Sequence, residues 1–334
     1  MDTAVSSLPA NARIDIDTGI DAFEHHRPRL FGLAYRMLGA RADAEDVVQD
    51  AWLRWHGTDR SAIVNPEAWL VTTATRLAID RLRSLRAERE HYFGFWLPDP
   101  LVEPWPEDPL AQLPDPAGTP EDALERAHDI STALLFVLEQ LTPEERAAFL
   151  LREVFDADYA EVAQALGKTE AACRQLVHRA RAHVQAGRPR FAAPEGAHAE
   201  LLQRFAQAAQ DGDFARIQAL FAPDAALISD GGGKVPSFGH VLQTGRRLAL
   251  VYFALARRLR RERQTLSLHL VRVNGLPGLV RLIDGQLESV QTLLVEDGLI
   301  RRVYVLRNPD KLAHVTLPEG ISAVAVTKPG AGAS

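Results

Sequence analysis

Sulfur is scarce in this chain: one cysteine, Cys173, and two methionines stand among 334 residues. A single cysteine excludes an intramolecular disulfide and any zinc site built from several cysteines, so nothing points to an oxidising compartment. Uninterrupted apolar runs of about eighteen residues are missing, and no membrane span is expected. The opening MDTAVSSLPANARIDIDTGI lacks a basic start followed by an apolar core. No secretion signal is read from it, and a cytoplasmic protein is the expectation. Lysine and arginine are absent between residues 90 and 125. What is present is ordinary for a folded protein, 46% hydrophobic and 25% charged residues, which rules out a wholly disordered chain. The formal net charge of −6 argues against a chain coated in nucleic acid. It leaves room for a basic face on one domain, because binding follows the local field and not the total.

The chain is longer than one ordinary core uses. Its strongest punctuation is the lysine- and arginine-free stretch, where prolines stand at 98, 100, 104, 106, 109, 114, 116 and 120 among acids that include Asp99, Glu107 and Asp122. Proline at that density forbids helix and favours extended backbone. This segment reads as a linker, and its aromatic start, Tyr92, Phe93, Phe95, Trp96 and later Trp105, suggests at least one docked end. Before it, apolar residues recur at helical spacing over 21–57, with a break near Gly39 and Asp43 as a candidate cap, and again from Pro66 to about Arg89. After it, helices are expected over Asp122–Leu141 and from Thr142-Pro143, then Tyr159–Leu166 and Thr169 to about Gln185 around Gly167-Lys168. A short helix, a glycine turn and a second helix form a helix-turn-helix pattern. Beyond a second joint at 186–197, helices at 198–210, 213–221 and about 239–263 accompany short apolar runs. Asn274-Gly275, Asp284-Gly285 and Asp297-Gly298 separate several of those runs, which predicts an antiparallel sheet and an α+β domain.

Two clusters carry chemistry. The second helix of the helix-turn-helix offers Arg174, Gln175, His178, Arg179 and Arg181 on one broad face, with Thr169 at its start. Guanidinium and amide heads are what base edges and phosphates in a major groove require. The other cluster is acidic: Asp43, Glu45, Asp46, Gln49 and Asp50 oppose an apolar face on one helix. No partner helix supplies matching ligands, so a protein-binding face is favoured over a cation site. A third basic run, Arg257 to Arg263, reads most simply as a solvated helix end, with nucleic-acid or polymerase affinity as the alternative.

The segments FEHHRPRLFGLAYRMLGARADAEDVVQDAWLRW and NPEAWLVTTATRLAIDRLRS resemble the region-two helices of extracytoplasmic-function sigma factors. LTPEERAAFLLREVFDADYAEVAQALGKTEAACRQLVHRARAHV resembles their region four. The resemblance implies an RNA polymerase subunit, with no enzymatic activity, that directs promoter recognition and transcription initiation. Its partners would be polymerase core, through the β′ clamp helices, and promoter DNA. Asp46, Gln49 and Asp50 would then meet the clamp helices. Arg76, Arg81 and Arg83, with Arg86, would hold the backbone around a base flipped from the minus-ten element; many members place asparagine where this chain has Arg76. Thr169, Arg174, Gln175, His178, Arg179 and Arg181 would read the minus-thirty-five element. The implied domains are region two at 20–90, the linker at 91–125, region four at 126–187, a C-terminal domain at 198–312 and a tail at 313–334.

That C-terminal domain resembles the SnoaL-like branch of the nuclear-transport-factor-two-like cone fold, which a group of these sigma factors carries. The fold class implied is multidomain: two all-α domains and one α+β cone. Three motifs mark the group, here Trp96-Leu97-Pro98-Asp99-Pro100, Asp230-Gly231-Gly232-Gly233-Lys234 and Asn308-Pro309-Asp310-Lys311-Leu312. They imply a regulatory latch acting in cis, in which the glycines permit close approach of another segment and Lys234 pairs with a carboxylate of linker or tail. Asp230, His240, Tyr252, His269, Asp284 and Tyr304 qualify as acids or bases by type alone; no catalytic residue, cofactor or metal is expected. A small ligand in the cone is a further possibility, and the rival reading is a SnoaL-like enzyme or sensor tethered to a DNA-binding module.

Overall fold

The structure, a computed structural model, describes residues 10–89, 92–105, 131–187 and 195–317. The chain divides into two compact units, 1–88 with 119–128 and 137–186, and 89–118 with 129–136 and 187–334. The helical segments expected as two domains thus belong to one unit. The described linker residues, 92–105, belong to the second unit.

In the first unit, α1 (Ala10–Leu38) ends at Gly39, whose φ of +69° is the left-handed stop that glycine supplies. Helix α2 (Arg41–His56) buries Ala44, Val47, Val48, Ala51 and Trp55. Asp43 does not cap it: Ala40 stands at that position, and Asp43 lies within the first turn, where it takes Arg81 at 2.6 Å. Helix α3 (Pro66–Arg89) starts from Asn65, whose Oδ1 accepts from the Ala68 amide. Of the helix expected over 122–141, the described part is α4 (Thr132–Leu138). In α5 (Pro143–Glu153), Thr142 and Glu145 form a reciprocal capping box behind Pro143. Asp158 and Glu161 do the same for α6 (Tyr159–Leu166), which Gly167 terminates at φ +63° before α7 (Glu170–Gly187).

Guanidinium groups join these helices by one recurring device. Arg146 is 1% exposed and donates to the Met37 carbonyl at the end of α1 and to Glu139. Arg76 donates to the Gln164 and Ala165 carbonyls at the end of α6, at 2.7 and 3.0 Å. Arg29 reaches the Phe155 carbonyl and Arg86 that of Leu141. Helix ends leave carbonyls unpaired at the negative pole of the dipole, and a planar cation with five donors satisfies both needs.

The second unit is a seven-stranded sheet in the order β1-β4-β5-β6-β7-β2-β3. Its elements are β1 (Val102–Pro104), α8 (Glu195–Asp211), α9 (Phe214–Leu220), β2 (Phe221–Asp230), β3 (Leu242–Gln243), α10 (Gly245–Arg261), β4 (Leu266–Val273), β5 (Leu276–Ile283), β6 (Gln286–Glu296), β7 (Leu299–Leu306) and α11 (Pro309–Leu312). The three Asn/Asp-Gly pairs make the β4–β7 hairpins, each with positive φ at both residues, as type I′ turns require. The sheet is not wholly antiparallel. β2 runs parallel to β7, because α10 carries the chain across the sheet and three hairpin reversals bring β7 back in the direction of β2. One face packs Phe205, Ile217, Leu248 and Tyr252 against Leu270, Leu293 and Val303. On the other, Val271, Val280, Tyr304 and Leu306 are covered by Leu97, Ala133 and Leu312.

Linker residues therefore form part of this core. β1 adds to the sheet edge, Val102 opposite Val273 and Pro104 opposite Val271, and proline is tolerated there because an edge strand has donors to spare.

Candidate functional site

In the helical unit, the apolar stripe of α2 faces inward, which leaves Asp46, Gln49 and Asp50 exposed on the opposite side. Leu53, one turn further and 60% exposed, puts an apolar contact beside them; the sequence reading passed over it. Spacings of three and four residues place the four side chains on one face. On α7, Cys173, Val177, Ala180 and Val184 are buried, so Thr169, Arg174, Gln175, His178, Arg179 and Arg181 all stand exposed. The Thr169 hydroxyl accepts from the Ala172 amide and still has its own proton to donate. Arg174 pairs with Glu170 at 2.7 Å and stacks on Tyr159, Arg179 pairs with Glu145 at 2.8 Å, and Arg181 with Glu153 at 2.6 Å.

The arginines of α3 are differently placed. Arg81 is engaged by Asp43, and Arg83 by Asp80 and by Glu144 at 2.5 Å. Arg76 and Arg86 lie on the carbonyls already described. Three of these four cations therefore bind groups from the segment that carries α5 and α6.

In the sheet unit, Asp230 is wholly buried at the end of β2. Its carboxylate accepts from the Tyr92 hydroxyl at 2.5 Å, the Leu97 amide at 3.0 Å, the Gly232 amide at 3.0 Å and the Lys311 ammonium at 2.9 Å. Lys311 also donates to the Leu97 carbonyl and lies 4.0 Å from the Trp96 ring centroid; the Arg89 guanidinium lies 3.6 Å from that centroid. Asn308 donates to the Tyr92 oxygen at 2.9 Å and caps α11 through the Asp310 amide. Lys234 meets Asp310 at 2.5 Å. The glycines permit this closeness: at Gly232, with φ +62°, a Cβ would stand 2.4 Å from Asn308 Nδ2, and at Gly231 it would stand 2.4 Å from the Val235 carbonyl. Gly233 lies against Phe93, where an added Cβ would be 3.3 Å away. Pro98 is buried, Asp99 contributes its field at Lys311, and Pro309 is exposed as the first residue of α11.

Burial pushes the Tyr92 phenol up, reinforced by the carboxylate beside it. Burial likewise pulls Lys311 down, against the opposing pull of Asp230. Tyr92 is absent from the three motifs; the aromatic density at the start of the linker was the signal that could have found it. Asn274, expected only as a turn residue, ties both the linker and the start of α4 to the sheet. Its Oδ1 accepts from the Leu101 amide at 2.9 Å and its Nδ2 donates to Thr132 Oγ1 at 3.0 Å.

The acids and bases picked out by type do not assemble into one group. Asp230 is saturated by four donors. Tyr252, buried, donates to Gln291, which in turn donates to Ser289. Tyr304 packs beneath Phe136 on the opposite face. His240 is exposed, His269 is half-buried, and Asp284 accepts from the Thr265 amide at a hairpin turn.

Residues 22–88 match the family model for sigma-70 region 2 and residues 131–184 that for sigma-70 region 4. The chain is 36% identical to the ECF RNA polymerase sigma factor SigJ of Mycobacterium tuberculosis, over 90% of this chain and 95% of that protein. It is 28% identical to the probable ECF RNA polymerase sigma factor SigI of the same species, over 87% of this chain and 93% of SigI. The crystal structure of M. tuberculosis SigJ superimposes with a TM-score of 0.67 at 33% identity, covering 88% of this chain and 98% of that one.

Proposed function

Because the chain belongs to the extracytoplasmic-function RNA polymerase sigma factors, we propose that its sheet domain controls promoter recognition in cis by holding the linker between regions two and four. Region two would engage the β′ clamp helices of polymerase core through Asp46, Gln49 and Asp50. It would meet the minus-ten element through Arg76, Arg81 and Arg83, and region four would read the minus-thirty-five element through Thr169, Arg174, Gln175, His178, Arg179 and Arg181. The segment Trp96-Pro98-Asp99, the loop Asp230–Lys234 and the turn Asn308–Lys311 serve as the latch, a role supported by their convergence on the Asp230 carboxylate.

The observation that carries this reading is that residues 92–105 and 131–136 are packed into the sheet unit, through β1, the Asp230 cluster and Asn274. The fourteen linker residues held in this way, 92–105, are lost to the tether. At about 3.3 Å per extended residue, they hold roughly 46 Å of its contour length. A sigma factor must bridge two promoter elements, so linker docking and promoter engagement compete. The balance shifts when polymerase and DNA contacts outweigh the latch by a few kcal/mol. A second support comes from the helical unit, where Arg76, Arg83 and Arg86 are occupied by protein acceptors that DNA phosphates would have to displace.

The sheet domain acts here without catalysis, as a scaffold. That reading is supported by the saturation of Asp230 and by the scatter of the remaining acids and bases. The test is run-off transcription with core polymerase, comparing the full chain with Asn274→Gly, which keeps the left-handed turn and removes the side-chain bonds to Leu101 and Thr132, leaving the backbone amide of residue 274 on the Leu101 carbonyl. A change of about threefold or more in promoter-dependent product supports cis control. Unchanged product, with linker cleavage by protease accelerated, shows that docking is real and regulation through it is not.

A further inference from the structure

We infer that the exposed side of α10 is a second binding surface for nucleic acid, one that takes the phosphate backbone of duplex DNA without regard to sequence. Between Gly245 and Arg261 this helix carries Arg246, Arg247, Arg257, Arg258, Arg260 and Arg261 and no acid. Its apolar side, Leu248, Ala249, Tyr252, Ala256 and Leu259, is buried in the sheet unit. Spacings of four, four, three and four residues put Arg246, Leu250, Ala254, Arg257 and Arg261 on the outward side, with Arg247 and Arg258 flanking them. All of them are exposed.

A solvated helix end accounts for part of this charge. Arg258 pairs with Glu262 at 3.1 Å, and Arg260 donates to the carbonyls of Gln210 and Asp211 at the end of α8. Cations are also favoured in a last helical turn. Neither reason covers Arg246 and Arg247, which stand in the first turn, where the dipole opposes positive charge. Among the described residues, no carboxylate pairs with Arg246, Arg247 or Arg257, and Arg261 has only Glu262, at 3.8 Å and already engaged. In a chain of net charge −6, a stripe of this kind is uphill by itself and is relieved by a polyanion.

From Arg246 to Arg261 the stripe runs about 22 Å at 1.5 Å per residue, against DNA that presents a charge about every 1.7 Å of axis. Ala254 and Leu250 between the arginines keep the middle low, so the helix can lie close along a strand. A lipid surface fits less well, because the apolar side that would enter a bilayer is committed to the core. The inference rests on the chain handling DNA as its family does, and not on the linker latch.

The test is fluorescence anisotropy of the full-length chain, without core polymerase, on a duplex lacking promoter elements, titrated across a range of KCl. Each phosphate contact contributes about 0.9 to the slope of log affinity against log salt. Replacing Arg246, Arg247, Arg257 and Arg261 with glutamine is expected to lower that slope by about 2 to 4 and to weaken low-salt binding at least tenfold. Replacing the same four with lysine is expected to preserve both. No binding by the wild type, an unchanged slope in the glutamine variant, or equal loss in the lysine variant overturns the proposal. So does binding that moves to phosphatidylglycerol vesicles in preference to the duplex. A slope that falls as expected beside an unaltered Asn274→Gly transcription result upholds this surface while rejecting the latch.

Discussion

Asp230 is a carboxylate with no route to water, and its four donors come from three stretches far apart in sequence. Removing it leaves the Lys311 ammonium buried against the Leu97 carbonyl and the Tyr92 and Trp96 rings, with the field of Asp99 as its remaining carboxylate interaction. Asp230→Ala is therefore expected to destabilise the sheet unit by about 3–5 kcal/mol, the usual penalty for orphaning a buried charge. Adding Lys311→Met should return much of that loss, because the unpaired charge is then gone; urea denaturation of the two variants and the double measures the coupling. Glu288 supplies a pH-dependent counterpart. Burial pushes its carboxyl up, but Arg281 and Arg307, each 2.5 Å away, more than reverse this and hold it below the ordinary 4.5. A depressed carboxylate confers stability that is present above the unfolded value and fades as pH falls through the folded one. Stability of the wild type over Glu288→Gln should accordingly shrink as pH drops below about 4.5, followed by thermal melts from pH 7 downward.

At the scale of elements, α2 and β1 show opposite relations between sequence and role. The inward stripe of α2 fixes which side is left for a partner, so Asp50→Lys should change stability by less than about 0.5 kcal/mol. It should weaken association with polymerase core at least tenfold, read by titration of labelled chain with core enzyme. β1 has no apolar alternation to announce it. Three residues join the sheet because Leu101 and Thr132 are both held by Asn274, and the edge of β4 offers free donors and acceptors. Asn274→Gly should raise the rate of limited proteolysis within residues 92–105 several-fold while leaving the melting of the helical unit unchanged.

At the scale of the whole molecule, the described linker residues belong to the sheet unit, and that decides what truncation does. Ending the chain at Gly187 removes the sheet that covers Phe95, Leu97, Val102, Ala133 and Phe136. The shortened chain is expected to bind core polymerase still, and to bind more of a hydrophobic dye than the full protein because those side chains have lost their cover. Removing only the segment from Asn308 should leave core binding intact and alter run-off transcription, since it deletes Lys311 and Asn308 together. Equal transcription from the full and tail-less chains would reject the latch at this scale.

Sequence alone determined the helices, the start of α5 at Thr142-Pro143 and the polar faces of α2 and α7, because those are set by residues within a few positions of one another; the cap expected at Asp43 failed because Arg81, far along the chain, engages that carboxylate. Gly39, the Thr142–Glu145 box and Gly167 act locally, and the three Asn/Asp-Gly turns fixed the β4–β7 hairpins in the same way. The parallel pairing of β2 with β7, the strand made from linker residues and the role of Tyr92 were decided only by the tertiary structure. So was the occupation of Arg76, Arg83 and Arg86 by protein acceptors. Each of these joins groups separated by 55 residues or more, where no local spacing carries a signal. Which donor a buried carboxylate takes, and which carbonyl a guanidinium finds, follows from desolvation once the chain has packed.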